Sequence, residues 1–245
     1  MTIENKIVVI TGAGRGIGRA TALHLAARGA RLVLGARSEA EIAAVAGEIE
    51  AAGGEAIYLA TDVTRRADLD RLVNLACERF GRLDVLVNNA GIGPLSRFDA
   101  LKVDDWEAMI DVNLKGALYG IAAALPVFGR QTSGHVINII STAGIKIVPT
   151  MGVYAATKNA LRTATEALRQ ESGQNLRVTE ISPGFIDTTF ADTAIADPDI
   201  RAAILKRKDE LAISPNAIAR AIAFAIEQPH DVEIGSIVVR PTAQD

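Results

Sequence analysis

The sequence is short of residues that build cross-links, because Cys77 is its single cysteine. One cysteine excludes an intramolecular disulfide and any metal site that needs several thiolates, so no metal site is expected. The apolar share is 49%, and 245 residues are enough to bury a large core within one domain. The scarcity of cysteine also fits a reducing compartment, so we expect a cytoplasmic protein.

Long apolar runs, basic stretches and linkers are also missing. The first apolar run, residues 7–10, has no basic lead and is too short for a signal peptide. No stretch approaches the roughly 20 apolar residues of a membrane span, so no membrane partner is expected. A net charge of −3 argues against nucleic-acid binding, which usually needs a basic surface. Because no repeat or Pro/Ser-rich linker marks a boundary, residues 1–245 are interpreted as a single domain.

Aromatic residues make up only 4% of the chain, whereas 21 residues are glycine, which favours closely packed elements with tight turns. Short β-rich runs predict strands at residues 6–11, 31–35, 56–60, 84–87, 135–140, 177–181 and 234–239. Longer helical patterns predict helices at residues 16–28, 39–52, 65–80, 103–125, 153–170 and 216–227. This alternation predicts an α/β fold, a doubly wound parallel sheet with helices on both faces.

Glycines cluster where the first predicted strand meets the first predicted helix. The segment 11–18 contains Gly12, Gly14, Gly16 and Gly18. Glycines let the backbone approach a pyrophosphate closely, and the helix that follows adds unpaired N–H groups at its N-terminus. In a doubly wound sheet, ligands bind beyond the carboxyl ends of the strands. The loop therefore predicts a dinucleotide site.

The end of the second strand bears on the choice of dinucleotide. Residues 35–38 read Gly-Ala-Arg-Ser and lack the carboxylate that would bind the adenosine ribose of NAD. Arg37, and Arg15 within the glycine loop, are instead cations suited to a 2′-phosphate. The two arginines favour NADP(H) as the cofactor.

A second constellation carries catalytic side chains. Tyr154 and Lys158 are four residues apart, so on a helix they share one face. A nearby ammonium favours a phenolate, which would lower the tyrosine pKa from its reference value near 10. Ser141 follows the fifth predicted strand, where its hydroxyl could bind a substrate carbonyl. Asn113 lies in mid-helix, an unusual place for a residue that competes with backbone hydrogen bonds.

Together these motifs resemble the short-chain dehydrogenase/reductase family over nearly the whole chain. Gly12, Gly16 and Gly18 fit its TGxxxGxG form, and residues 88–91 resemble its NNAG motif. Its Asn-Ser-Tyr-Lys active site is matched in order and spacing by Asn113, Ser141, Tyr154 and Lys158. The resemblance implies a Rossmann fold and an NADP-preferring oxidoreductase that acts on CH–OH and C=O groups.

The resemblance also implies a role for each residue. Tyr154 acts as general acid in reduction and as base in oxidation, and Ser141 orients the carbonyl. Lys158 lowers the Tyr154 pKa and holds the nicotinamide ribose, while the backbone carbonyl of Asn113 anchors a water in a proton relay. With Tyr154 and Lys158, the expected cofactor contacts are Gly12, Gly14, Arg15, Gly16, Ile17, Gly18, Arg37, Asp62, Val63, Asn89, Ala90, Gly91, Pro183, Gly184, Ile186 and Thr188.

The substrate end is expected to be mainly apolar. In the family, the segment matching residues 189–213 is a lid over the substrate. The apolar residues of that segment are Phe190, Ala194, Ile195, Ile200, Ile204 and Leu205. The expected apolar residues elsewhere are Ile92, Pro94, Leu95, Ile145, Met151 and Phe185. This lining favours a neutral ketone, aldehyde or β-keto ester.

Two other functions stay open, and one concerns the substrate. Lys146 and Arg201 could grip a carboxylate, which would suit a serine-type 3-hydroxy acid dehydrogenase. A non-catalytic NADP-binding redox sensor is the alternative of another class, against which the intact Ser-Tyr-Lys set argues. Family members commonly form dimers or tetramers through long helices. Because residues 113–125 and the helix after Tyr154 are rich in small residues, a homotetramer is expected.

Overall fold

The computed structural model describes residues 2–190 and 197–244. Its strands are β1 (Ile7–Thr11), β2 (Arg31–Ala36), β3 (Glu55–Ala60), β4 (Val85–Asn88), β5 (Gly134–Ile139), β6 (Leu176–Pro183) and β7 (Ser236–Val239). Its helices are α1 (Gly16–Ala26), α2 (Glu39–Ala51), α3 (Arg66–Phe80), α4 (Val103–Met109), α5 (Gly116–Gln131), α6 (Gly152–Glu171), α7 (Pro198–Leu211) and α8 (Asn216–Glu227). A π-helical segment, Ile110–Lys115, joins α4 to α5.

The strands pair in the order β3-β2-β1-β4-β5-β6-β7, and every ladder is parallel. From β1 the chain adds strands towards one edge of the sheet, and from β4 it adds them towards the other edge. Such a reversal opens a crevice beyond the carboxyl ends of the two strands. The predicted fold class, one α/β domain with a parallel sheet between helices, is confirmed.

Residues of the inner strands face two different cores on the two sides of the sheet. In β1, Val8 and Ile10 are buried in a cluster with α1, α2 and α8, whereas Ile7 and Val9 are buried in one with α3 and α5. A parallel strand covered on both faces reads as a continuous apolar run rather than an alternating one. This is why short apolar runs in the sequence predicted the strands within a few residues.

Two helical regions differ from the prediction. The helix predicted to end at residue 125 continues through Pro126 to Gln131. Val127 and Phe128 beyond the proline are buried, and their packing stabilises the extra turn. Helix α7 lies where no helix was predicted, and its N-terminus is capped by Asp197, whose Oδ1 accepts from two backbone N–H groups.

The helical stretch Val103–Gln131 is long and apolar enough to cross a membrane, judged by length and composition alone. The prediction that no stretch approaches that length is therefore wrong. In this fold, Ile121, Ala124 and Phe128 of the stretch are buried against the sheet. The stretch thus supplies part of the protein core, and its apolar character is explained by that packing.

A buried polar chain ties the central strands to α6. Asn88 Nδ2 of β4 donates to Asn138 Oδ1 of β5 at 2.9 Å, and Asn138 Nδ2 donates to Thr165 Oγ1 of α6 at 2.8 Å. The Thr165 hydroxyl in turn donates to the Leu161 carbonyl at 2.7 Å. Buried polar groups that are satisfied in this way specify one packing arrangement. The chain therefore fixes α6 relative to the strand ends that border the crevice.

Candidate active site

A cleft of about 1340 Å³ follows the carboxyl edge of the sheet. This volume exceeds the roughly 300–1,000 Å³ of an ordinary small-molecule pocket, so the cleft has room for a large ligand and a second molecule. All the predicted site residues line it except Gly18 and Asn113. The cleft therefore brings together loops that follow six different strands.

The glycine loop after β1 is shaped by close backbone contacts. Gly12 and Gly16 have φ angles of +65° and +54°, which glycine adopts without strain. A Cβ at Gly18 would lie 2.2 Å from the Gly12 carbonyl oxygen. Gly18 therefore acts by letting α1 pack directly on the loop, which explains why it does not line the cleft.

Hydrogen bonds hold the glycine loop to the segment after β4. The Thr11 hydroxyl accepts from the backbone N–H groups of Asn89 and Ala90 at 3.0 and 3.1 Å. In return, Asn89 Nδ2 donates to the carbonyl oxygens of Thr11 and Gly12 at 2.9 and 3.1 Å. The side-chain amide of Asn89 thus holds the two loops together, and Gly91, two residues further on, also lines the cleft.

The N-terminus of α1 offers the groups that a pyrophosphate needs. Arg15 is the N-cap residue, its side chain makes no capping hydrogen bond, and the first turn contains no acidic residue. The first N–H groups of a helix lack intrahelical partners and carry the positive end of its dipole. A Cβ at Gly16 would come within 3.2 Å of Thr188 Cγ2, so a side chain there would narrow the cradle. These residues fit the diphosphate of a dinucleotide cofactor.

Arg15 and Arg37 both reach the same end of the cleft, but a carboxylate lies there as well. Glu41 lines the cleft from the first turn of α2, and its Oε2 would lie 2.9 Å from a Cβ at Gly14. The sequence predicted no carboxylate at this end of the cleft, because residues 35–38 contain none; Glu41 was missed. Ser38 is the N-cap of α2 and accepts from the Glu41 N–H, which places Glu41 in the first turn of the helix. This capping pattern was the signal in the sequence that could have located Glu41.

Asp62 and Val63 border the cleft after β3. Burial raises the pKa of Asp62, but hydrogen bonds from Thr64 and the positive charges of Arg65 and Arg37 outweigh it and leave the pKa below its ordinary value. The Thr64 N–H and hydroxyl both donate to Asp62 Oδ1, at 3.0 and 2.8 Å. Asp62 is therefore a charged residue that shapes its own loop beside the arginines.

Three of the four predicted catalytic residues meet at the floor of the cleft. Ser141 follows β5 after Ile140, and its hydroxyl lies close enough to Tyr154 of α6 to lower the pKa of that phenol. Lys158 lies one turn further along α6, is only 4% exposed, and donates from Nζ to the Ile139 carbonyl at 2.9 Å. The end of β5 and one face of α6 thus assemble the Ser-Tyr-Lys group.

The protonation equilibria of this group differ from the prediction. Burial raises the pKa of Tyr154, and the hydrogen bond from Ser141 offsets this only in part. Burial also lowers the pKa of Lys158 to about 8. The expectation of a Tyr154 pKa below its ordinary value is wrong for this structure, because desolvation dominates. The ammonium lies 6.0 Å from the tyrosine ring centroid and is hydrogen-bonded to a backbone carbonyl.

Asn113 lies behind the cleft rather than in it. Asn113 belongs to the π-helical segment and is only 1% exposed. Its Oδ1 accepts from the Ile92 N–H and its Nδ2 donates to the Ile92 carbonyl, both at 2.8 Å, with a further bond to Thr157 Oγ1. The side chain therefore holds the loop after β4 against α6. The relay role of its backbone carbonyl stays a prediction.

The substrate end is walled by apolar residues, as the sequence predicted. The rings of Phe190 and Tyr154 pack with centroids 5.7 Å apart, and a Cβ at Gly93 would lie 2.3 Å from Phe190 Cζ. The predicted apolar residues that line the cleft are Ile92, Pro94, Leu95, Ile145, Met151, Phe185, Phe190 and Ile204. Ile200 and Leu205 pack behind them on Leu95 and Met151. Ala194 and Ile195 of the predicted lid lie outside the described residues.

Cations border the apolar wall near the segment after β6. Pro183, Gly184, Ile186 and Thr188 of that segment line the cleft. The cations that line it nearby are Lys146, Arg207, Lys208 and Arg240. Predicted Arg201 is not among them. Lys208 pairs with Asp187 at 3.4 Å, and the guanidinium of Arg207 lies 5.3 Å from the Phe185 ring centroid. In residues 2–190 and 197–244, no three His, Cys, Asp or Glu side chains form a metal cluster.

The buried ammonium of Lys158 makes a prediction about stability and pH. Its pKa is 10.5 when unperturbed and about 8 in the fold, so between these values the unfolded chain binds more protons. The free energy of unfolding should therefore rise between pH 8 and pH 10, by up to about 3 kcal/mol from this group. Urea denaturation should show the rise in the parent and a flatter profile in Lys158→Met. Lys206→Met, which removes an exposed lysine, should keep the parent profile; an identical rise in Lys158→Met would contradict the assignment.

Comparison with known proteins agrees with this geometry. A family model described as short chain dehydrogenase matches residues 6–199. An uncharacterised oxidoreductase of Listeria monocytogenes is 48% identical, with the match covering 100% of this chain and 99% of that protein.

Solved structures share the whole fold. An alcohol dehydrogenase from the archaeon Thermococcus sibiricus, complexed with 5-hydroxy-NADP, is 32% identical with a TM-score of 0.88, covering 99% of each chain. A short-chain dehydrogenase/reductase from Burkholderia phymatum in complex with NAD is 29% identical with a TM-score of 0.89, covering 97% of this chain and 90% of that one. The closed form of a serine dehydrogenase complexed with NADP+ is 29% identical with a TM-score of 0.89, covering 98% and 96%.

Two of these neighbours are complexed with NADP or its 5-hydroxy derivative, and one is complexed with NAD. The matched family model covers most of the chain, and the relative matches it from end to end. The chain belongs to the short-chain dehydrogenase family, and it is an oxidoreductase that acts on alcohol and carbonyl groups.

Proposed function

We propose that this protein is an NADP(H)-dependent carbonyl reductase, or alcohol dehydrogenase in reverse, for neutral ketones, aldehydes or β-keto esters. The observation that carries the proposal is the grouping of Ser141, Tyr154 and buried Lys158 at the floor of a cleft that begins at the glycine loop. A sensor that only binds a dinucleotide would not need this group.

The chemistry of the group suits proton donation. With its pKa above the ordinary value, Tyr154 is fully protonated at neutral pH and can give its proton to a carbonyl oxygen. The Ser141 hydroxyl binds the same oxygen and polarises the carbonyl. Lys158, with a pKa of about 8, is mostly charged at neutral pH and stabilises the phenolate that proton transfer leaves. These states favour the reduction direction.

The cofactor end suits a nicotinamide dinucleotide phosphate. The N-terminus of α1 would hold the diphosphate, and Arg15 and Arg37 would hold the 2′-phosphate. Lys158 and the segment from Pro183 to Thr188 would border the nicotinamide end. When bound, the nicotinamide supplies the hydride that the protein itself cannot.

The cations at the substrate end favour a second candidate, an NADP-dependent 3-hydroxy acid dehydrogenase. Within residues 2–190 and 197–244, neither Lys146 nor Arg240 forms an ion pair, and both line the cleft. A guanidinium beside an apolar wall is suited to binding a carboxylate. This candidate ranks second because the wall around Tyr154 is apolar.

We also propose a cytoplasmic homotetramer, with a dimer as the smaller alternative and with no membrane or nucleic-acid partner. Leu118 of α5 is 39% exposed, and Ala122 and Ala156 are exposed on α5 and α6. Small exposed residues allow helices of two copies to pack closely. Sedimentation equilibrium would give the assembly mass.

Replacing Tyr154 by phenylalanine removes the proton donor while keeping the ring that packs on Phe190. We expect kcat for ketone reduction to fall by at least about 100-fold, since general acid catalysis contributes this much. NADPH binding, followed by fluorescence titration, should change little. The matched control is Tyr58→Phe on β3, which should keep parent activity. Full turnover by Tyr154→Phe would refute the assignment.

The cofactor preference depends on Arg37 more than on Glu41. Arg37→Ala should lower kcat/KM for NADPH by roughly 10- to 100-fold and leave NADH little changed, because a charged hydrogen bond to the 2′-phosphate is lost. The kcat/KM of Arg37→Lys for NADPH should lie between the values of the parent and of Arg37→Ala, since lysine keeps the charge but lacks the planar guanidinium. Glu41→Gln should keep or increase the preference for NADPH. An unchanged NADPH/NADH ratio in Arg37→Ala would exclude Arg37 as the phosphate ligand.

A substrate panel separates the two candidate functions. Neutral ketones, aldehydes and β-keto esters should be reduced with NADPH, and 3-hydroxy acids should be poor substrates for oxidation. Lys146→Met serves as the diagnostic variant, because it would raise KM for 3-hydroxy acids alone if that ammonium binds a carboxylate. Turnover confined to 3-hydroxy acids would reverse the ranking.

A further inference from the structure

The segment after β7 folds back into the cleft. β7 ends at Val239, whose carbonyl accepts from the Gly184 N–H at 2.8 Å. The Gln244 N–H then donates to the Pro241 carbonyl at 3.0 Å, which closes a tight turn. This turn places the side chain of Gln244 in the lining of the cleft.

Gln244 bonds to two different walls of the cleft. Its Oε1 accepts from the Phe185 N–H at 2.9 Å, and its Nε2 donates to Thr142 Oγ1 at 3.3 Å. Thr142 directly follows Ser141, and Phe185 lies in the segment between Gly184 and Ile186. One side chain therefore joins the turn that carries the catalytic serine to the segment after β6.

The space for this side chain exists because residue 184 is glycine. A Cβ at Gly184 would lie 2.2 Å from Gln244 Oε1 and 2.7 Å from Arg240 Cβ. Any side chain at residue 184 would therefore displace the amide of Gln244. The glycine that the sequence associated with the cofactor thus also provides the seat for the C-terminal glutamine.

The Gln244 side chain lies just beyond the point where the hydrogen bonds between β5 and β6 end. The ladder between β5 and β6 ends with Ile139 opposite Ile181, and one more backbone bond joins the Ile140 N–H to the Ile181 carbonyl at 2.8 Å. Beyond it the chain turns away on both sides to form the cleft walls. Gln244 continues the connection past the end of the ladder by two hydrogen bonds.

We propose that Gln244 is a positioning residue, which sets the spacing between the Ser141 turn and the segment 184–188 and thereby aligns the carbonyl-binding hydroxyl with the nicotinamide end. This inference rests on the proposed function for its catalytic consequence. Small misplacement of a reacting group reduces the rate steeply, so the residue acts on turnover more than on binding.

The first experiment compares Gln244→Ala with Thr242→Ala, which changes an exposed residue of the same turn. In the steady state, kcat for ketone reduction should fall by about 10-fold in Gln244→Ala, with KM for NADPH little changed. The pH profile of alcohol oxidation should move to higher pH, because a displaced Ser141 no longer lowers the Tyr154 pKa as strongly. Thr242→Ala should behave as the parent. Parent kcat and pH profile in Gln244→Ala would overturn the proposal.

The second experiment needs no activity. Hydrogen exchange of the Phe185 amide should accelerate by at least about 10-fold in Gln244→Ala, since its acceptor is removed, and should not change in Thr242→Ala. Unchanged exchange would refute the link even if activity fell. If the parent showed no carbonyl reduction, the proposed function would fail, and the exchange measurement would still decide whether Gln244 holds the two walls.

A third variant guards against a loss of folding. Gln244→Glu keeps an acceptor for the Phe185 N–H and can accept from the Thr142 hydroxyl. It should retain parent exchange at Phe185 and recover part of the lost kcat. Failure of Gln244→Glu to restore slow exchange, in a protein that unfolds at the parent urea midpoint, would contradict the role of these two bonds.

Discussion

The hydrogen bonds between Thr11 and Asn89 hold the rest of the site in place. They join β1 and β4 at the point where the strand order reverses and the chain departs in opposite directions. Without them, the pairing of the two strands would end at Ile10 and Val87, before the glycine loop begins. Because they make one rigid edge, the N-terminus of α1 faces the same cleft as the floor built by β5 and α6.

Burial of the catalytic group has two opposite effects. It keeps Tyr154 protonated, which suits donation to a carbonyl, and it brings Lys158 to a pKa of about 8, at which part of the charge is lost in mild alkali. The Lys158 shift costs stability at neutral pH, which the surrounding packing must offset through the Asn88–Asn138–Thr165 chain and the bonds of Asn113. The cleft thus combines a rigid polar support with an apolar substrate wall.

Local pattern predicted much of this molecule. Apolar runs predicted the seven described strands within a few residues, because inner strands covered on both faces are apolar throughout. Motif order predicted Ser141, Tyr154 and Lys158, which the structure brings together in the cleft. Residues that depend on tertiary contact were beyond its reach: Glu41 reaches Gly14 across a turn, and Gln244 meets Thr142 from the far end of the chain. The pKa direction of Tyr154 was also mispredicted, because spacing on a helix reports a neighbouring charge but not the degree of burial.

In the proposed function, the Ser-Tyr-Lys floor serves hydride transfer from a nicotinamide to a carbonyl carbon. The most direct measurement uses NADPH that carries deuterium at the transferring position and follows the label during reduction of a neutral ketone. We expect the parent to place the deuterium on the carbinol carbon of the product alcohol, and Tyr154→Phe to do so at least about 100-fold more slowly. Cofactor oxidation without deuterium in the alcohol would contradict it.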